Sequence, residues 1–157
     1  MLASSEFREL LSLFEKYKIR YLVVGGYAVM KYSEPRFTKD LDLWIATDRN
    51  NAYSVYAALK EFGAPLENLT SNDFTKQDYF YQIGMPPLRV DIMMYIPGVE
   101  FEEAWKNRET VELNNLMISF ISRSDLIRSK EASGRPQDII DIDKLKEADR
   151  LDSPDGE

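Results

Sequence analysis

The stretch YLVVGGYAVMKYSEPRFTKDLDLWI, residues 21–45, decides how the rest of the chain is read. Tyr21 to Val24 is a short apolar run that ends abruptly at Gly25-Gly26, the pattern of a buried strand closed by a turn. Tyr27 to Tyr32 then predicts one or two turns of helix, so the glycines sit at a strand-to-helix turn. Ser33 to Lys39 has loop composition, and Asp40-Leu41-Asp42-Leu43-Trp44-Ile45-Ala46 alternates polar with apolar residues as a strand does. Alternation brings the carboxylates of Asp40 and Asp42 to one side, where their like charges repel unless a cation lies between them.

The flanking segments read as further helices and strands. Upstream, Phe7, Leu10, Leu11, Leu13, Phe14 and Tyr17 recur at helical spacing over Glu6 to Tyr17, with Ser4 and Ser5 as candidate caps. Downstream, a helix is expected from about Arg49 to Phe62, closed by Gly63 and Pro65, followed by a polar loop over residues 66–77. Tyr79 to Ile83 and Leu88 to Tyr95 flank Gly84-Met85-Pro86-Pro87 and predict an antiparallel hairpin. Asp91 lies in its second arm, a charge inside an otherwise apolar run. A short helix over Phe101 to Asn107, strands at Glu109 to Leu113 and Leu116 to Phe120, and a helix over Ser124 to Ser133 follow. After Gly134-Arg135-Pro136, a last helix is expected from about Gln137 to Ala148, apolar at Ile139, Ile140, Ile142 and Leu145.

Composition narrows the chemistry. The 157 residues are 44% hydrophobic and 30% charged, which is a globular balance. They contain no internal repeat or dividing linker, so one domain over residues 1–150 with an acidic tail over 151–157 is expected. The expected fold class is α/β, a short mixed β-sheet flanked by helices with a small C-terminal helical segment. The longest apolar runs are too short to cross a bilayer, and the expectation is a cytoplasmic protein with no membrane partner. Cysteine and histidine are both absent. That removes disulfides, thiolate nucleophiles, imidazole bases and the usual zinc sites, leaving carboxylates as metal ligands or bases and favouring hard cations. The net charge of −7 argues against broad attraction to nucleic acid while leaving room for a local basic groove.

Asp40, Asp42 and Asp91 are therefore the candidate metal-binding and catalytic residues, on the condition that their strands are neighbours. Magnesium is held by one or two carboxylates with waters and substrate phosphates, and a pair of such ions can assist both the attacking and the leaving oxygen. Backbone N–H groups at Gly25 and Gly26, aided by the positive end of the helix that starts there, can approach a phosphate chain. Asp-x-Asp alone is weak, and a second copy occurs at Asp141 and Asp143. The order of strand, Gly-Gly, helix, Asp-x-Asp strand and later strand Asp is what gives it weight.

In that order the sequence resembles the nucleotidyltransferase superfamily that shares the DNA polymerase beta type of catalytic domain. More narrowly, GGYAVMKYSEPRFTKDLDLWI is similar to the minimal nucleotidyltransferases related to toxins of abortive-infection toxin-antitoxin pairs, with their Gly-Gly-x-Ala and Arg-x-Thr-x-Asp-Leu-Asp segments. Arg36 and Thr38 fit that pattern, and SRSDLIRSKEASGRPQDIIDIDKL at 122–145 matches the group's Leu-Ile-x-x-Lys, Arg and Asp-x-x-Asp, so the likeness covers about residues 20–146. Tyr27 departs from it, standing where many active members carry a small or hydroxyl residue. The resemblance implies that Gly25, Gly26, Arg36, Thr38 and Lys130 bind nucleotide, and that Asp40, Asp42 and Asp91 hold two Mg2+ ions, with Mn2+ as a substitute.

The implied reaction moves an NMP group from an NTP, ATP among the candidates, to an acceptor hydroxyl on an RNA end such as tRNA, a protein or a small molecule. A toxin paired with an antitoxin protein is one setting. The alternative is a weak or inactive nucleotide-binding or partner-binding module of the same fold. Blander readings stand beside these: Gly25-Gly26 as a plain turn, Arg36 as a loop charge or partner of Asp40 or Asp42, and Lys130 as a solvated lysine. Asp138 and Asp141 share a helix face and would either be solvated or orient Arg135 or Lys130. Tyr79, Phe80, Tyr81, Trp44 and Trp105 are expected to pack in the core and at its rim and not to stack on bases.

Overall fold

The computed structural model describes residues 4–35, 38, 40–78, 80–84 and 89–151. Its centre is a six-stranded mixed sheet of β1 (Tyr21–Val24), β2 (Asp40–Ile45), β3 (Phe80–Ile83), β4 (Arg89–Met93), β5 (Glu109–Leu113) and β6 (Leu116–Phe120), in the order β3-β4-β2-β1-β6-β5. β2 runs antiparallel to β1 and parallel to β4, β1 is parallel to β6, and the two outer pairs are antiparallel hairpins.

The central strands are specified by their pattern. Leu41, Leu43, Val90 and Ile92 are at most 5% exposed, and each such burial stabilises by about 1.5–3 kcal/mol. Because side chains alternate, covering these four turns Asp40, Asp42, Arg89 and Asp91 to the half-exposed side. The adjacency on which the metal reading depended is present, since Asp42 stands in register with Asp91 and Asp40 with Arg89.

Among the described residues six α-helices accompany the sheet: α1 (Ser5–Lys16), α2 (Gly25–Tyr32), α3 (Arg49–Phe62), α4 (Phe101–Lys106), α5 (Arg123–Ser133) and α6 (Pro136–Leu151). The caps at Ser4, Gly63 and Gly134 are the expected ones, and Asp48 adds another. The Ser4 hydroxyl accepts from Phe7 N–H, Asp48 from Asn51 N–H, and Gly63 and Gly134 close α3 and α5 in the left-handed conformation. α1 packs on α3 and β6, while α2 packs against β1, β2, α5 and α6. Among the described residues no helix is long and apolar enough to cross a membrane.

Two expectations need correction. The polar stretch 66–77 contains a 3-10 helix, Ser71–Thr75, fastened where Asp73 accepts from Thr70 N–H at 2.7 Å. On α6 the apolar pattern misleads: Ile139 and Ile140 are 56% and 50% exposed, whereas Asp138 and Asp141 are buried with Leu145. The helix is turned by a cation on α5, described below, and not by its isoleucines.

Candidate active site

The site grows from the end of β1. Val24 pairs with Asp42, and the chain then turns at Gly25 into α2 with φ +68°. Glycine is required there twice over. That φ is costly for other residues, and a Cβ at Gly25 would stand 2.0 Å from Asp42 Oδ2. The first turn of α2 therefore lies directly against the Asp42 carboxylate. Tyr27 points into the core, edge-on to Phe7 with ring centroids 6.0 Å apart.

Asp40 and Asp42 on β2 face Arg89 and Asp91 on β4, making a rectangle of three carboxylates and one guanidinium. Arg89 Nη2 donates to Asp40 Oδ2 at 2.8 Å, and Arg89 Nε lies 3.3 Å from Asp91 Oδ1. The second contact is an ion pair without hydrogen-bond alignment, so both of its atoms are buried and lack a hydrogen-bond partner. Among the described residues no cation pairs with Asp42 in this way. Burial first, then the charges and hydrogen bonding of Asp91 and the charge of Asp40, push its carboxyl up to about 7 against the opposing pull of Arg89.

The donor chemistry suits a hard cation, with oxygen donors from three strand positions on one face and an unsatisfied oxygen on Asp91. The present spacing does not: among the described residues no three acidic side chains converge closely enough to hold a metal ion, and Arg89 lies between two of them.

Asp42 and Gly25 open onto a cleft of about 120 Å³. Its far wall is α5 and the start of α6, contributing Lys130, Arg135 and Asp138, and its apolar wall is Met93, Ile96, Pro97 and Leu126. The loop carrying Ile96 and Pro97 is tight on α5, since a Cβ at Gly98 would come within 2.6 Å of Ala132 Cβ.

Lys130 is buried, not solvated. Its Nζ donates to Asp141 Oδ2 at 3.0 Å and Asp138 Oδ1 at 3.3 Å. Asp138 also accepts from Arg135 Nε at 2.9 Å and from the Arg135 backbone N–H at 3.2 Å, and Asp141 accepts from Gln137 at 3.0 Å. Burial alone would raise the Asp138 carboxyl, but the hydrogen bonds from Arg135, Ser133 and Lys130 outweigh it and hold the group well below the usual carboxylate range.

The structure thus gathers Gly25, Asp42 and Lys130 around one cleft, with Asp91 beside Asp42 and Asp40 one alternation away. Thr38 instead donates from its hydroxyl to the Asp40 carbonyl at 3.4 Å, bracing the entry to β2. Arg36 lies outside the described residues. Among the described residues it is Arg89 that pairs with Asp40. The signal for Arg89 was in the chain, two residues before Asp91 on an alternating strand.

A mixed sheet carrying Asp-x-Asp beside a Gly-Gly helix start, with a later strand Asp in register, is the architecture of the nucleotidyltransferase fold. The lincosamide antibiotic adenylyltransferase LnuA, solved with lincomycin bound, superposes with a TM-score of 0.61 at 18% identity, covering 93% of this chain and 98% of its own. The antibiotic-resistance factor ANT(2'')-Ia does so at 0.60 and 13% identity, covering 97% and 85%. An antigenic nucleotidyltransferase-like protein from Paracoccidioides brasiliensis gives 0.55 at 19%, covering 95% and 77%. Identities this low establish a shared fold. No curated protein sequence matches the chain. The chain belongs to the family described as nucleotidyltransferase of unknown function (DUF6036), which matches residues 2–155.

Proposed function

We propose that the protein transfers a nucleoside monophosphate from an NTP to an acceptor hydroxyl, releasing pyrophosphate. The observation that carries this reading is the register of β2 with β4, which sets Asp42 beside Asp91 directly against the first turn of α2. Asp40, Asp42 and Asp91 would hold two magnesium ions. When bound, these supply charge neutralisation for the phosphates and lower the pKa of an acceptor hydroxyl.

The residues of the chain do the rest. The N–H groups at the start of α2 point toward the phosphates, an arrangement suited to anions. Lys130, positioned by Asp138 and Asp141, presents an ammonium to the cleft and binds the triphosphate. Asp91 takes the acceptor proton. The acceptor oxygen then forms a bond to the α-phosphorus as the bond from that phosphorus to the bridging oxygen breaks, and pyrophosphate leaves with the electron pair. Arg36 and Thr38, at the entry to β2, belong to the nucleotide side of the same reading.

LnuA acts on a lincosamide antibiotic, which makes a small-molecule hydroxyl one acceptor class to test beside an RNA end such as tRNA and a protein side chain. Growth arrest on expression, relieved by Asp40→Ala, would favour an active toxin. A second reading has a specific observation behind it: Arg89 neutralises part of the acidic face from within, as a binding module without turnover would require.

Thermal stability with each of the four NTPs, with and without magnesium, tests for the nucleotide site, and transfer activity separates the two readings. A magnesium-dependent rise in Tm with one NTP is expected, following the linkage between ligand binding and folding. It should vanish in Asp42→Asn, together with a loss of transfer activity of at least about a hundredfold. Equal turnover in wild type and Asp42→Asn would end the assignment.

A further inference from the structure

We infer that Arg89 is the resident counter-ion of the Asp40–Asp91 pair in the metal-free protein, and that a divalent cation enters the site by displacing it. The inference rests on the metal-binding role proposed above for these aspartates.

Arg89 does not neighbour the site by accident of a flexible loop. It is fixed on β4, opposite Asp40 and two residues before Asp91, so its side chain rises from the same face of the sheet as all three carboxylates. It holds one oxygen of Asp40 at 2.8 Å and lies 3.3 Å from one oxygen of Asp91. A small divalent ion needs such oxygens at about 2.0–2.1 Å in a near-octahedral shell, and a guanidinium between them both occupies the approach and repels the incoming charge.

The two halves of the Arg89 grip are unequal. The bond to Asp40 is a well-formed charge-assisted one, whereas Nε and Asp91 Oδ1 meet without alignment and have no other hydrogen-bond partner. Buried polar atoms left in this state are costly, so the Asp91 side of the grip is the one that yields first. Half of Arg89 is a placeholder. A nucleotide arriving with its metal brings phosphate oxygens that can accept the released guanidinium, because Arg binds phosphate as readily as carboxylate. Metal entry and nucleotide entry are thereby coupled: each carboxylate that turns to metal frees a cation that needs an anion.

The test is Mn2+ binding in the absence of nucleotide, followed by the electron paramagnetic resonance signal of free Mn2+, on wild type, Arg89→Met and Arg89→Gln. Methionine keeps the unbranched length without charge, and glutamine keeps a donor to Asp40 should the first variant fold poorly. Both variants should bind Mn2+ at least about tenfold more tightly than wild type, as removal of a unit charge next to the site requires, and ATP should strengthen Mn2+ binding in wild type more than in either variant. Wild type that binds Mn2+ as tightly as the variants would overturn the role of Arg89 alone. Failure of all three proteins to bind Mn2+, with or without ATP, would overturn the metal-binding reading and this inference with it.

Discussion

Two acidic clusters face each other across the cleft, and they are finished to different degrees. On α6, Asp138 and Asp141 are almost fully buried, yet Lys130, Arg135, Gln137 and a backbone N–H satisfy them. On the sheet, among the described residues, one guanidinium lies against two of the three carboxylates, Asp40 and Asp91, and an oxygen of Asp91 has no hydrogen-bond partner. The carboxyl of Asp138 is held low and that of Asp42 is pushed up. A cluster complete in itself is a fastening. One that is short of positive charge among the described residues is what the proposed metal-binding role calls for.

The contrast predicts different responses to removing a charge. Lys130→Met leaves two buried carboxylates facing each other without their cation, and should lower stability by about 3–5 kcal/mol, measured as a shift of the urea midpoint. Asp42→Asn removes one charge from an under-compensated set, so the metal-free variant should melt no lower than wild type. If Lys130→Met is as stable as wild type, the α6 cluster is not the fastening described here.

A second response is to pH, in metal-free protein. The folded pKa of Asp42 lies above its unfolded value, so its contribution to stability is complete below about pH 4 and is lost as pH rises toward about 7. Asp138 has the opposite sign: its contribution is present above the unfolded carboxylate pKa and is lost as pH falls toward its depressed folded value. Tm should therefore fall from pH 4 to 7 by an amount that Asp42→Asn abolishes, while Asp138→Asn flattens only the acid limb. A wild-type profile unchanged by Asp42→Asn would contradict the crowding of the sheet carboxylates.

The smallest effect belongs to the residues that looked most hydrophobic. Ile140→Gln, at a half-exposed position on α6, should change stability by less than about 0.5 kcal/mol in the same urea experiment. A large loss would mean that the isoleucines, and not the acids, hold the helix.

These comparisons also mark where the amino-acid sequence was readable. The Gly-Gly turn, the alternation around Asp40 and Asp42 and the hairpin bearing Asp91 are local patterns, and all were legible. The insertion of β2 between β1 and β4 is not local. It joins residues about fifty apart in sequence, and from sequence alone the neighbouring of the two strands is only a condition. For α6 two signals competed: the hydrophobic pattern alone gives the wrong side, whereas the three-residue spacing of Asp138 and Asp141 marks the face that is buried against Lys130 of α5. Arg89 was readable by alternation, two residues before Asp91, but no short motif marks it.

The register of β2 against β4 has one more consequence, for the newly made chain. The rectangle of polar side chains and the row Leu41, Leu43, Val90 and Ile92 are opposite faces of the same two strands. A slip of one residue in their pairing would send the acids into the core and the leucines to water together. A misassembled copy could therefore not persist as a stable but chemically altered enzyme; it would expose its interior and be open to proteolysis, so that the arrangement of the site is proofread by the same event that folds the sheet.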